Sequence, residues 1–193
     1  MKARGLQRLV RADLFRYEGK SNWIHFFQLC FYEPGFRIIL LMRLCVFTRS
    51  QWWTRIGIYH LIKILYHLNS NIHNVHINFT TEIGGGLYMP HASSIIINRH
   101  CKIGENCNIS QNITMGVALR GESKGCPTIG DRVYIAPGAV IFGKIFVGDD
   151  AAVGANCVVN RDVPARGVCV GVPGKVISRN GSKGYVKNLL PSQ

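Results

Sequence analysis

Hydrophobic positions along this 193-residue chain follow two different rhythms. From Ile77 onward an aliphatic residue or methionine returns at every sixth position, in three runs. They are Ile77, Ile83, Met89 and Ile95; Ile103, Ile109 and Met115; and Ile129, Ile135, Ile141, Val147, Val153 and Val159. A period of six fits neither the 3.6 of a helix nor plain alternation. It fits a coil of three flat faces, each pointing one aliphatic side chain inward. Gly follows the inward residue at Ile83, Ile103, Ile129, Val147 and Val153, and at a corner Gly offers positive φ and close backbone approach. The pattern predicts a mainly β fold, a left-handed parallel β-helix of hexapeptides over residues 71–177. The period slips by two residues between Ile95 and Ile103. Between Met115 and Ile129 the segment Val117 to Pro127 keeps no phase at all, which marks a loop leaving the coil. Long loops on a rigid scaffold often carry function.

Residues 1–70 lack the period. Trp23 to Phe47 and Gly57 to Leu68 are apolar at helical spacing, interrupted at Pro34-Gly35 and punctuated by Arg37 and Arg43, which predicts two or three helices. No stretch reaches the roughly 18–20 apolar residues that span a bilayer. Trp23, Phe26, Phe27, Phe31, Trp52 and Trp53, flanked by Arg and Lys, suit a membrane interface or packing on each other and a neighbouring subunit. This helical region and the polar tail, 178–193, are placed to cap the open ends of the coil.

Composition narrows the partners. The net charge of +13 gathers at Arg4, Arg8, Arg11, Arg16 and Lys20, and again at Lys175, Arg179, Lys183 and Lys187. An anionic partner follows, either an anionic membrane surface or a phosphorylated small molecule. Nucleic acid is disfavoured, because no recognition motif accompanies the charge. Seven cysteines without a CxxC pair fit the reducing cytoplasm, and the opening residues are too charged for a signal peptide.

Histidine is the candidate chemistry. His25, His60 and His67 lie on apolar helical segments, whereas His73, His76, His91 and His100 fall in or beside the first coils. A zinc site shared between subunits needs three convergent ligands, and this spacing does not require one, so no metal is expected. His91 stands two residues after the inward Met89, next to the slip in the period. Packing explains it poorly; a neutral imidazole there could act as a general base on a hydroxyl.

From about Val75 to Ile177 the chain resembles the hexapeptide-repeat acyltransferases of the serine acetyltransferase branch. The likeness rests on Met89-Pro-His91-Ala, Ile109-Ser-Gln111-Asn-Ile-Thr114-Met-Gly116, Cys126-Pro-Thr-Ile-Gly-Asp131, Val133-Tyr-Ile-Ala136-Pro-Gly-Ala-Val-Ile-Phe-Gly143 and Gly171-Val-Pro173-Gly-Lys175. It implies a homotrimer, with trimers able to pair, that binds acetyl-CoA and acetylates a hydroxyl. Under it His91 is the base and Asn78, at the place of a carboxylate one coil earlier, orients His91. Gly116 N–H stabilises the oxyanion. Ala136 and Ala155 line the CoA groove, while Arg161 and Lys175 meet CoA phosphates. Two departures concern the acceptor: Pro90 stands where the branch has Asp, and Gly125-Cys126 where it has Arg-His. Those charges hold a zwitterionic amino acid. The loop and its Cys-Pro-x-Ile-Gly ending look more like the colanic-acid and capsule acetyltransferases. The expectation is therefore a cytoplasmic acetyl-CoA-dependent O-acetyltransferase, working at the inner face of the cell membrane, with a sugar hydroxyl of a bacterial surface polysaccharide as acceptor. Serine O-acetyltransferase is the alternative, and a non-catalytic trimeric scaffold is the alternative of another class.

Overall fold

In a computed structural model, residues 3–54 and 57–190 are described, without the side chain of Trp53. Three parallel sheets wrap into a left-handed coil. The first face stacks β1 (Val75–Ile77), β3 (Ile95–Ile97), β6 (Thr114–Gly116), β9 (Val140–Phe142) and β12 (Val158–Val159). The second stacks β2 (Glu82–Ile83), β4 (Lys102–Ile103), β7 (Thr128–Ile129) and β10 (Phe146–Val147). The third stacks β5 (Asn108–Ile109), β8 (Tyr134–Ile135), β11 (Ala152–Val153) and β13 (Val168–Val170), and ends on the antiparallel β14 (Lys175–Ser178). All thirteen residues of the sixfold pattern are buried, as a coil with one inward side chain per face demands.

The register corrects where the period slips. Ile97, not Ile95, stands level with Ile77 and Met115, so the run from Ile97 to Ile103 keeps its six. The extra pair lies one corner earlier. Tyr88 bridges Asn108, which sets Pro90 level with Ser110, while the Asn112 N–H donates to Ser93 O, which sets Ser93 level with Gln111. His91-Ala92 is what remains unmatched. A sequence pattern could not separate these alternatives because Ile95 and Ile97 are both buried.

The corner glycines are also explained differently. None of Gly84, Gly104, Gly130, Gly148 and Gly154 has positive φ; close stacking selects them. A Cβ on Gly104 would stand 2.5 Å from Gly130 O, and one on Gly148 would stand 2.4 Å from Ala165 N. The left-handed conformation falls two residues later, at Asn106, Arg132, Asp150 and Asn156.

Four helices precede the coil: α1 (Ala3–Arg16), α2 (Trp23–Tyr32), α3 (Pro34–Ser50) and α4 (Ile58–Ile72). Pro34 begins α3 instead of breaking a longer helix, since its missing N–H is harmless in a first turn. Helix α1 was not legible, because its inward face carries Asp13 and Arg16 beside Leu14. Asp13 Oδ1 accepts from the backbone N–H of Gly86 and Leu87, while Arg43 donates to Asp13 Oδ2 at 3.1 Å and to the carbonyls of Ile83 and Gly84. Arg16 donates to Gly86 O, Asn106 O and Lys187 O, and burial lowers its pKa to about 10. At Gly35 a Cβ would lie 2.0 Å from Met89 O. Charged side chains and one close approach thus fasten the helices to backbone 83–89, immediately ahead of His91.

The tail folds back over the coil. Tyr185 stacks on Tyr134 with ring centroids 4.3 Å apart, Asn108 Nδ2 donates to Tyr185 O, and Asn188 Nδ2 donates to Arg16 O. As the composition implied, no helix among the described residues is long and apolar enough to cross a membrane. Trp23, Phe27, Phe31, Tyr32 and Trp52 are exposed in the single chain. Of the aromatic set, only the Trp53 side chain lies outside the described residues.

Candidate active site

The unmatched pair divides its two side chains between core and solvent. Ala92 is buried in the main core, while His91 is exposed at the corner between the third and first faces. Ser94, at φ 53°, returns the chain to β3. Below the bulge the same corner carries Gln111, Pro137 and Ala155 in successive coils, because Gly138 N–H donates to Gln111 O and Asn156 N–H to Pro137 O. Ala136 precedes Pro137 and is buried; Ala155 is exposed. Coils stand about 4.8 Å apart, so His91 heads a ridge of small residues that reaches Ala155 about 14 Å below. Lys175 pairs with Val170 at the foot of the same corner.

The remaining expected residues gather at the opposite edge of the first face. Asn78 follows β1, Gly116 ends β6 and Arg161 follows β12. Asn78 Oδ1 accepts from the Thr80 N–H and hydroxyl, and in the parallel register it stands level with Asn98, seven residues beyond His91. Within one chain, therefore, Asn78 does not orient His91. Gly116 is not demanded by packing, since a Cβ there would meet nothing nearer than Phe142 Cβ at 4.0 Å. Its bareness opens a cavity of about 500 Å³ on the first face, beneath α4, lined among others by His76, Asn78, Asn98, Thr114 and Gly116. That volume suits a small ligand. The loop 117–126 leaves from the same edge and closes on paired hydrogen bonds between Ala118 and Gly125. Cys126 sits at its base against Cys101, whose thiol burial pushes up to about 12. No group of three or more His, Cys, Asp or Glu that could hold a metal occurs among the described residues.

No protein-family model matches the chain. A serine acetyltransferase of Helicobacter pylori is 31% identical over 175 residues, covering 91% of this chain and 95% of that protein. The chain belongs to the serine acetyltransferase family. It spans only 58 to 60% of the length of some other curated members it matches. A Neisseria gonorrhoeae serine acetyltransferase solved in complex with serine superposes with a TM-score of 0.72 at 29% identity, covering 91% of this chain and 70% of that one. A serine acetyltransferase solved in complex with CoA superposes with a TM-score of 0.71 at 26% identity, covering 91% and 71%. These matches overturn the expectation of a sugar acceptor, and none of them is a capsule or colanic-acid enzyme. Motif departures at Pro90 and Gly125-Cys126 carried that expectation, and they weigh less than family membership along nearly the whole chain.

Proposed function

We propose that the chain transfers an acetyl group from acetyl-CoA to the hydroxyl of L-serine. The observation that carries the reading is the bulge: in a serine acetyltransferase family member, the two residues that break the coil's period lift His91 out at the head of the Ala136–Ala155 corner. His91 takes the hydroxyl proton, and the oxygen attacks the thioester carbonyl. The resulting oxyanion accepts from the Gly116 N–H. Collapse breaks the carbon–sulfur bond, and the imidazolium returns its proton to the departing CoA thiolate.

Because His91 and Gly116 lie at opposite edges of one face, the reaction needs a second copy. A homotrimer supplies it, with the His91 corner of each chain against the loop-bearing corner of the next. The same contact brings Arg161 of one chain to the groove that holds Ala136, Ala155 and Lys175 of another, gathering cations for the CoA phosphates. The cytoplasm, where acetyl-CoA is available, is the compartment this reading assigns.

The test follows CoA thiol release from acetyl-CoA in the presence of L-serine. Wild-type protein should turn over, and His91→Ala should lower turnover by about 10²- to 10⁴-fold with folding unchanged. No release with serine sinks the activity; survival of more than about a tenth of the rate removes His91 as the base.

A further inference from the structure

Helices α2 and α4 turn apolar side chains to solvent. None of the ten residues of α2 is charged, and its buried residues are His25 and Leu29. Trp23, Ile24, Phe27, Phe31 and Tyr32 are 58–81% exposed. On α4, Ile58, Leu61, Leu65, Leu68 and Ile72 recur every three or four residues, which sets them on one side, and all are exposed. Tyr66 and Ser70 are buried on the other side, the one that roofs the cavity. Arg37 ties the two surfaces together: Nε donates to Asn69 Oδ1 at 2.6 Å, and Nη1 donates to the carbonyls of Cys30 and Phe31 at 3.0 and 3.1 Å. One guanidinium thus spans the last turns of α2 and α4. At roughly 150–250 Å² per aromatic side chain, Trp23, Phe27, Phe31 and Tyr32 alone bare about 500 Å², as much as the largest patch on a typical monomer. The stripe on α4 adds to it, and a surface of that size calls for a partner.

Charge decides between two partners. Residues 1–72 carry eleven Lys and Arg against three Asp and Glu, and one of the three, Asp13, is buried against Arg43. Eight of the thirteen net positive charges therefore belong to the helical unit. A second copy laid face to face on it brings like charge to like charge. An anionic bilayer reverses the sign: each Lys or Arg near such a surface gains about 1 kcal/mol, while apolar side chains enter the boundary between headgroups and acyl chains. Trp and Tyr favour that boundary, since their rings are apolar and their N–H or O–H stays wet. We propose that the outer faces of α2 and α4 dock this protein on a membrane surface containing anionic phospholipid, with basic residues of the helical unit on the lipid phosphates. An apolar face and a basic surround reinforce each other there. The docked side of α4 is opposite the cavity, so docking does not block it. A homotrimer carries three such surfaces, and linked contacts add by avidity. The inference is independent of the acceptor.

The experiment sediments the protein with vesicles of phosphatidylcholine alone and of phosphatidylcholine mixed with phosphatidylglycerol. Protein should follow the mixed vesicles at least about tenfold better, and added salt should weaken the binding. All three tryptophans, Trp23, Trp52 and Trp53, lie in the helical unit, so the emission of the unmodified protein should shift to the blue on the mixed vesicles. Phe27→Glu combined with Phe31→Glu should cut the partition at least about tenfold, with circular dichroism unchanged. Binding to neither vesicle, or to both alike, overturns the proposal. No shift in tryptophan emission overturns it as well, whether or not that variant folds. So does a lipid-free particle of twice the trimer mass by light scattering that the paired substitution halves, because a second copy then covers the surface.

Discussion

The coil and the helical unit solve the same problem with opposite chemistry. Inside the coil every level repeats the last, so Ile77, Ile97, Met115, Ile141 and Val159 form one apolar column, and the backbone is paired by the next strand. The helices meet an irregular stretch, 83–89, whose N–H and C=O groups have no complete coil above them. Asp13, Arg16 and Arg43 take those bonds. Repetition makes an apolar core self-sufficient; an end of the repeat calls for charged side chains, because unpaired buried backbone is expensive.

The sharpest way to break this contrast is Asp13→Ala. It leaves Arg43 buried without its carboxylate and two backbone N–H groups unpaired, and should cost about 3–5 kcal/mol in urea unfolding. Desolvation raises the Asp13 pKa, so Asp13→Asn, which keeps an acceptor without the charge, should cost less. A loss under about 1 kcal/mol for Asp13→Ala would mean that the helices dock by apolar contact alone.

Gly104→Ala tests the coil by its own rule. The added Cβ would press on Gly130 O and on Asp131 Oδ1, and should destabilise by about 1–3 kcal/mol. Gly57→Ala, ahead of α4 with nothing within 4 Å, should stay within about 0.5 kcal/mol. Equal losses at the two sites would deny that stacking selects the corner glycines.

The smallest effect concerns acid. Arg132 donates to the Asp150 carboxylate at 2.7 and 3.0 Å, and this bond, ahead of simple charge attraction, holds the Asp150 pKa low. A depressed carboxyl contributes stability above its unfolded pKa and loses it as pH falls through the lower folded value. Asp150→Asn should therefore lower Tm slightly at neutral pH and flatten its fall below about pH 4, where variant and wild type converge. Both partners are more than a third exposed, so the shift will be small. A large shift at neutral pH would assign this corner pair a structural weight like that of Asp13.

Much of the coil was readable because its rule is local. Inward residues, corner glycines and the departing loop follow from one period, and His91 was noticed because it stands beside the point where that period fails. The bulge itself could not be placed, since two buried isoleucines, Ile95 and Ile97, fit the pattern and only strand register separates them. The acceptor was misjudged for a related reason: Pro90 and Gly125-Cys126 show which charges are missing, while the cavity beside Gly116 forms only when α4 lies over the first face. Helix α1 was hidden because its inward residues are charged, and a buried Arg16 looks in sequence like any exposed arginine. By itself the sequence determined the repeat, the apolar column and the stretches that leave it, since each depends on neighbours a few residues away. The tertiary structure decided which atoms confront each other across those breaks, because hydrogen bonds between distant segments depend on directions that spacing along the chain does not encode.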